Sequence, residues 1–170
     1  MAGTPTGARV TLAATGEANV ATGLTVLDHL VGALARTGRL KIALEVAPDS
    51  ADEQATAAGA ALGRALSELV RADGAAGLGW ALATADEALA AAALELSDPA
   101  RFVANVDFSG QRVGGIATDV VSRFLDELAE GAGLNLHVRL LEGEDPQHVL
   151  LAMFKAVGAA LGLACRPQPT

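Results

Sequence analysis

Cysteine, aromatic residues and runs of basic residues are scarce in this sequence. Cys165 is the only cysteine, so no disulfide forms within the chain and a zinc site built from paired cysteines is excluded. The 12 Lys+Arg residues are outnumbered by 20 Asp+Glu, which gives a formal net charge of −8. Because an acidic protein without a basic patch repels a phosphate backbone, we expect no nucleic acid partner.

Targeting and membrane-spanning patterns are also lacking. Residues 1–10 contain neither the basic start nor the apolar stretch of a signal peptide. Asp86 and Glu87 interrupt the most hydrophobic region, so no apolar run is expected to reach the length that crosses a bilayer. We therefore predict a cytoplasmic protein with no membrane partner.

Hydrophobic residues are nonetheless abundant, at 51% of the chain, although aromatic residues make up only 3%. This composition supports a folded core and argues against disorder. Much of the apolar material is alanine, and small side chains favour closely packed helices. A core with so little bulk often gains stability from subunit contacts, so we predict a homo-oligomer.

The sequence predicts a single domain of residues 1–170 that contains two copies of one arrangement of helices and strands. In each copy a Leu-Asp-x-Leu segment is followed by a helical stretch, an alternating strand, a turn and a second helix. The alternating strands lie at 40–46 and 134–140, and the halves are predicted over about 9–80 and 81–163. The alternative is that alanine-rich helices resemble one another by chance.

Further strands and loops complete the prediction. We expect strands around residues 86–89 and over 102–108, a loop at Gly114-Gly115, and Thr118 or Asp119 as the cap of the next helix. Strands and helices mixed within two similar halves indicate an α+β architecture, in which a sheet is covered by helices.

Several segments, taken in order, resemble the imidazoleglycerol-phosphate dehydratase family, over roughly residues 9–163. No single segment is decisive, but the ordered set is specific. The segments are Thr22-Gly23-Leu24-x-x-Leu27-Asp28-His29-Leu30, Ala35-Arg36-Thr37-Gly38, Asp86-Glu87-Ala88-Leu89 with Leu94-Glu95-Leu96-Ser97, Ala132-Gly133-Leu134-Asn135-Leu136-His137-Val138-Arg139, and His148-x-x-x-Ala152-Met153-Phe154-Lys155-Ala156.

This resemblance implies a fold of two repeated halves, each a small β-sheet with two helices packed on one face, of a kind also found in a ribosomal-protein domain. It implies a 24-subunit assembly with metal sites shared between subunits. It also implies manganese-dependent removal of water from imidazole glycerol phosphate in histidine biosynthesis. In the family, two Mn²⁺ ions bind the substrate as an imidazolate and stabilise the anion that develops. Loss of metal ligands makes a trimer or another smaller assembly possible here.

The resemblance also implies a set of metal ligands, most of which this chain has lost. The family's two His-His-x-x-Glu motifs align with Asp52-Glu53-x-x-Thr56 and Gln147-His148-x-x-Leu151, and a further family histidine aligns with Thr37. His29, His137 and His148 remain at family ligand positions and are the only histidines in the chain. They are candidate metal ligands. The alternative is that each is a structural or surface residue.

The other implied site residues are an acidic pair and a lysine. Asp86 and Glu87 align with a family pair that has a proposed acid–base role; the alternative is an exposed charge on a strand edge. Lys155 is a candidate ligand for the substrate phosphate. The family's phosphate-binding arginines are absent from residues 74–79, so no guanidinium there pairs with phosphate.

The sequence leaves three functions open, each from a different class of protein. The first is an impaired or inactive pseudoenzyme that keeps the family fold and binds manganese weakly or not at all. The second is a repurposed metal-binding lyase or small-ligand binder that uses the remaining histidines. The third is an active imidazoleglycerol-phosphate dehydratase. Convergence of the three histidines would favour the second function, and separate or apolar surroundings would favour the first.

Overall fold

The alternating residues near position 42 form the central strand of a three-stranded sheet. The computed structural model describes residues 5–169. In it β3 buries Leu40, Ile42 and Leu44, while β1 pairs with β3 antiparallel and β2 pairs with it parallel. Both helices of this half pack on the buried face of the sheet. The elements are β1 (Gly7–Leu12), β2 (Glu17–Ala21), α1 (Thr25–Gly38), β3 (Leu40–Glu45) and α2 (Ala51–Val70).

The second half has the same topology with one more strand and a short ribbon. Its sheet order is β4-β5-β9-β6, in which β9 pairs antiparallel with β5 and parallel with β6. The strand β9 therefore takes the place of β3. The elements are β4 (Leu78–Ala85), β5 (Ala88–Leu96), β6 (Arg101–Ala104), β7 (Arg112–Val113), β8 (Ile116–Ala117), α3 (Thr118–Ala132), β9 (Leu134–Glu142) and α4 (Pro146–Ala164).

The two halves correspond in order, with two differences from the predicted alignment. The predicted division between residues 80 and 81 falls inside β4. The αL caps Arg39 and Gly133 end α1 and α3 just before the central strands. Measured from these caps, Leu27 lies about one helical turn farther from its strand than Leu125 does. The shared Leu-Asp-x-Leu letters therefore do not occupy equivalent positions.

Each second helix packs against the first helix of the other half, α2 on α3 and α4 on α1. Glycine lies at both crossings, which allows the backbones to approach closely. A Cβ added to Gly63 would lie 2.6 Å from the carbonyl oxygen of Leu128, and one added to Gly38 would lie 2.6 Å from that of Gly158. Close packing through small residues is therefore confirmed.

Helix α4 departs from the expectation that no apolar segment is long enough to cross a membrane. It has 19 residues with a mean hydropathy of 1.4, which passes that test by length and composition. However, it packs against α1, β4 and β5, and 67% of its apolar window is buried. Its hydrophobicity is that of a core helix. The expectation that no apolar run reaches this length was therefore wrong, because a helix buried against α1, β4 and β5 is apolar on most of its surface.

Two local predictions around α3 were also wrong. The N-cap position is Ala117, and no side chain caps the helix. Thr118 instead uses its hydroxyl to donate to the carbonyl of Phe108, and Asp119 lies in the first turn. The predicted strand over 102–108 is paired only in β6, up to Ala104, because the chain beyond it leaves the edge of the sheet. Gly114 and Gly115 form the turn of the β7–β8 ribbon, as predicted.

Candidate functional site

The N-terminus of α4 lies against the turn between β4 and β5. Asp145 is its N-cap, and the carboxylate accepts hydrogen bonds from the backbone N–H groups of Gln147 (2.9 Å) and His148 (3.2 Å). Pro146 occupies the first helical turn, where its fixed φ suits a helix and no N–H is needed. This cap fixes the first turn so that His148 meets Asp86 and Glu87, which form the β4–β5 turn.

His148 lies between the two carboxylates of that turn. Its Nδ1 is 2.6 Å from Oε2 of Glu87, and its Nε2 is 3.3 Å from Oδ2 of Asp86. Only the protonated ring donates from both nitrogens, so this arrangement favours the imidazolium. Glu87 also accepts, through Oε1, from the backbone N–H groups of Asp145 (2.9 Å) and Glu144 (3.3 Å). The Asp86–Glu87–His148 cluster thereby joins the β4–β5 turn to α4.

These hydrogen bonds shift two pKa values in opposite directions. The backbone N–H of Asp145, followed by the His148 ring, lowers the pKa of Glu87 from 4.5 to about 2. The hydrogen bond to Glu87 raises the pKa of His148 from its ordinary 6.5, against the opposing effect of desolvation. With Nδ1 directed at Glu87, the other ring nitrogen, Nε2, faces Asp86. The cluster is therefore suited to keep the imidazole of His148 protonated.

We expect the cluster to make stability depend on pH in a window set by both groups. Glu87 contributes stability above its ordinary pKa of 4.5 and loses it as pH falls towards 2. His148 contributes fully below its ordinary pKa of 6.5 and loses it as pH rises through its raised folded value. Both groups therefore stabilise the fold between about pH 4.5 and pH 6.5.

Thermal unfolding of the wild type and His148→Gln across pH 3–9 checks this expectation. The melting temperature of the variant should fall below that of the wild type most strongly within the window. A constant difference at every pH would contradict the expectation. Asp107→Asn is a control, because the lowered pKa of Asp107 arises from Ser109 in a separate loop.

A pocket of about 320 Å³ opens between the first turns of α1 and α4. Its walls are apolar: Leu30 and Leu150 are 2% exposed, and Val113 of the short ribbon is 8% exposed. His29 and Gln147, both exposed, bring the main polar groups to it. None of the described residues that line it is an Asp, Glu, Lys or Arg. The site is an apolar concavity with an imidazole and an amide.

His137 and Lys155 lie elsewhere. His137 is on the exposed face of the second sheet, in register with Ala93 and Val103. The Nζ atom of Lys155 donates to the carbonyl of Thr84 at 2.6 Å, so the lysine fastens the end of β4 to α4. The three histidines therefore have separate surroundings, and the predicted phosphate ligand has a structural partner.

Comparison with known proteins identifies the family. Residues 22–161 match the model of the family described as imidazoleglycerol-phosphate dehydratase. The chain belongs to this family. A protein named imidazoleglycerol-phosphate dehydratase from Desulfitobacterium hafniense is 36% identical over 95% of this chain and 84% of its own length. One of the same name from Granulibacter bethesdensis is 36% identical over 94% of this chain and 84% of its own length.

Solved structures of dehydratases confirm the fold. The Staphylococcus aureus imidazoleglycerol-phosphate dehydratase superposes with a TM-score of 0.84 over 93% of this chain and 92% of that one, at 24% identity. The Pyrococcus furiosus structure gives 0.79 over 96% and 92%, at 23% identity. The predicted α+β fold of the dehydratase type is therefore confirmed.

The pocket collects three positions that the family resemblance predicts to be ligand positions. His29 is the histidine of the Leu-Asp-His-Leu segment, while Gln147 and Leu151 are the outer positions predicted for the second motif. His148, the middle position, is paired with the acidic turn instead. At the position of the first motif, Asp52 lies 3.5 Å from Arg123. Thr37, aligned with another family histidine, donates to the carbonyl of Lys155 at 2.7 Å and joins α1 to α4.

The residues of one chain do not fit a two-manganese site. Among residues 5–169, no group of three or more His, Cys, Asp or Glu side chains is placed to hold a metal ion. A leucine offers no donor, and a neutral amide is a weaker ligand than the carboxylates and imidazoles that manganese prefers.

Sequence reasoning missed the role of Asp145 and the apolar character of the pocket. Asp145 directly precedes a proline at the start of an apolar helix, a pattern that signals an N-cap but was interpreted only as a turn. Asp28 was missed as well: it accepts from the N–H of Thr22 (2.9 Å) and from its hydroxyl (2.5 Å), which fixes the entry to α1 beside His29. The spacing of Thr22 and Asp28 gave no local signal for this contact.

Proposed function

We propose that this protein is a catalytically impaired member of its family, which does not dehydrate imidazole glycerol phosphate with manganese at an appreciable rate. One observation carries the proposal: the pocket where His29, Gln147 and Leu151 meet offers a single imidazole, an amide and the Thr25 hydroxyl among apolar walls, and no carboxylate. A reaction that places negative charge on the imidazole depends on metal ions as the electron sink. The position of His148 supports the same proposal, because its ring nitrogens lie against Glu87 and Asp86 and the residue does not line this pocket.

A second candidate is an active imidazoleglycerol-phosphate dehydratase. The relatives favour it, since proteins of that name are 36% identical over almost the whole chain. It would need metal ligands beyond those that one chain brings together, such as side chains from a neighbouring subunit. Among the remaining histidines, His137 is the one whose ring faces outward from the second sheet.

Manganese content and dehydratase turnover distinguish the two candidates. The full-length protein is treated with Mn²⁺, desalted and analysed for bound metal, and loss of one water from imidazole glycerol phosphate is followed by mass spectrometry. The Desulfitobacterium hafniense relative serves as the reference. Since metal ions supply several kcal/mol of transition-state stabilisation, we expect kcat/KM to be lower than the reference by a factor of at least about 10³.

Stoichiometric manganese together with turnover close to the reference would overturn the proposal and establish the second candidate. His29→Gln is the matched control in that case, because loss of metal from this variant would locate the manganese at the pocket. Trace turnover that His29→Gln leaves unchanged would identify a contaminating dehydratase and support the proposal.

We also propose that the protein is a homo-oligomer and that the outer face of the second sheet forms the interface. Trp80 and Leu82 are 63% and 66% exposed on this face, whereas Arg9, Lys41 and Glu17 occupy the outer face of the first sheet. An exposed apolar patch of this kind is typical of a protein interface. Light scattering on the same sample gives the mass of the assembly. We also propose that the protein is cytoplasmic.

A further inference from the structure

The pocket between α1 and α4 has the size and lining of a small-molecule site. Its volume of about 320 Å³ lies within the range of ligand pockets, which are lined mainly by apolar side chains and a few polar groups. Leu30, Leu150 and Val113 form walls that belong to the hydrophobic core and are fixed by it. The pocket is therefore concave and supported from behind.

The described side chains that line the pocket give an anionic occupant no lysine or arginine to pair with. Lys155, the predicted phosphate ligand, donates to Thr84 at 2.6 Å instead. With a net charge of −8, the chain also repels anions at longer range. A phosphate placed against Leu150 and Leu151 would lose its hydration without gaining a charged partner.

The polar groups of the pocket select one kind of neutral molecule. The imidazole of His29 has one donor and one acceptor nitrogen when neutral, and the amide of Gln147 has both functions. A flat molecule that presents one hydroxyl or ring N–H to these groups, and its remaining surface to Val26, Leu30 and Leu150, would satisfy both the polar and the apolar lining.

We infer that this pocket binds a neutral aromatic molecule carrying one hydrogen-bonding group and rejects phosphate esters of the same ring. The inference rests on the proposed function, because it assumes that the pocket is free of manganese. It assigns a neutral aromatic ligand to the pocket, where the family resemblance predicts metal ligands that this chain lacks.

A matched pair of probes tests the inference: 1-naphthol and 1-naphthyl phosphate share a ring and differ in charge. Each is titrated into the ¹⁵N-labelled full-length protein without added metal, and amide shifts are followed by NMR. We expect 1-naphthol to shift amides of the first turns of α1 and α4 and of Val113, with a Kd on the order of 100 μM. The phosphate ester should bind at least about ten-fold more weakly.

Two variants and one control locate the binding. Val26→Trp fills the pocket from its wall, and Gln147→Trp fills it from an exposed position where folding is tolerant of a large side chain. Each should weaken 1-naphthol binding at least about ten-fold. Phe102→Ala removes an aromatic side chain from β6 that does not line the pocket and should leave the affinity unchanged.

Several results would overturn the inference. These are equal affinity for the two probes, unchanged affinity in both pocket variants, or loss of binding in Phe102→Ala. Pocket amides that shift with protein concentration alone would show that a second copy of the chain fills the site. The readout involves neither manganese nor turnover, so the inference and the proposed function can fail separately.

Discussion

Replacing Phe154 with alanine should destabilise the protein by about 3–5 kcal/mol. Phe154 is fully buried, and its ring stacks on that of Phe124 with centroids 5.8 Å apart. Truncation removes the transfer free energy of the ring and leaves a cavity between α3 and α4. Alanine is among the commonest residues of the buried core, and its short side chain cannot extend into the space. Since small domains are stable by about 5–15 kcal/mol, a large part of the stability would be lost.

Urea unfolding measured by circular dichroism gives the change in free energy. Phe124→Ala should show a similar loss, and the double variant should lose less than the sum, because the two rings stabilise each other. Phe102→Ala is the matched control, since this phenylalanine is only partly buried and packs on the edge of the core. Equal losses for Phe102 and Phe154 would contradict the expectation.

The sequence was sufficient to predict features that depend on local spacing. Alternation placed β3 and β9. Alanine and glycine content indicated close helix crossings, which the contacts at Gly63 and Gly158 confirm. The ordered segments of the family resemblance were sufficient for the fold because they are spread over both halves.

The site was less predictable because its contacts join residues far apart in the chain. His148 and Glu87 are 61 residues apart, and no periodicity reveals that an N-cap turns the histidine towards an acidic turn. The same limit applies to Lys155, whose hydrogen bond to the carbonyl of Thr84 joins residues 71 positions apart. The pocket was missed because its apolar walls come from α1, α4 and the β7–β8 ribbon, each of which reads as ordinary core.

The hydrophobicity of α4 illustrates how packing changes the meaning of a local pattern. Its glycines and alanines face α1 and β4, so the helix is apolar on almost every side for a reason internal to the fold. The crossing of α4 with α1 therefore supports both the core and the pocket, whose walls come from the same two helices. Any change that separates α1 from α4 should disturb both.

Gly158→Ala is the smallest change that tests this crossing. An added Cβ would lie 2.7 Å from Cα of Leu34 and closer still to the Leu34 carbonyl oxygen, which are backbone atoms that cannot turn aside. Helix propensity alone would favour alanine by about 1 kcal/mol. We expect overpacking to exceed that gain and to leave a net loss of about 2 kcal/mol or more, measured by urea unfolding.

Gly32→Ala is the matched control, since it makes the same chemical change in α1. There the added Cβ would meet only the flexible Nη1 end of Arg36, at 3.4 Å. This variant should be unchanged or stabilised by up to about 1 kcal/mol, so the two substitutions should have opposite signs. If both variants were equally stable, α4 would be free to move away from α1. The pocket between the two helices would then lack the rigid walls on which selection by shape and charge depends.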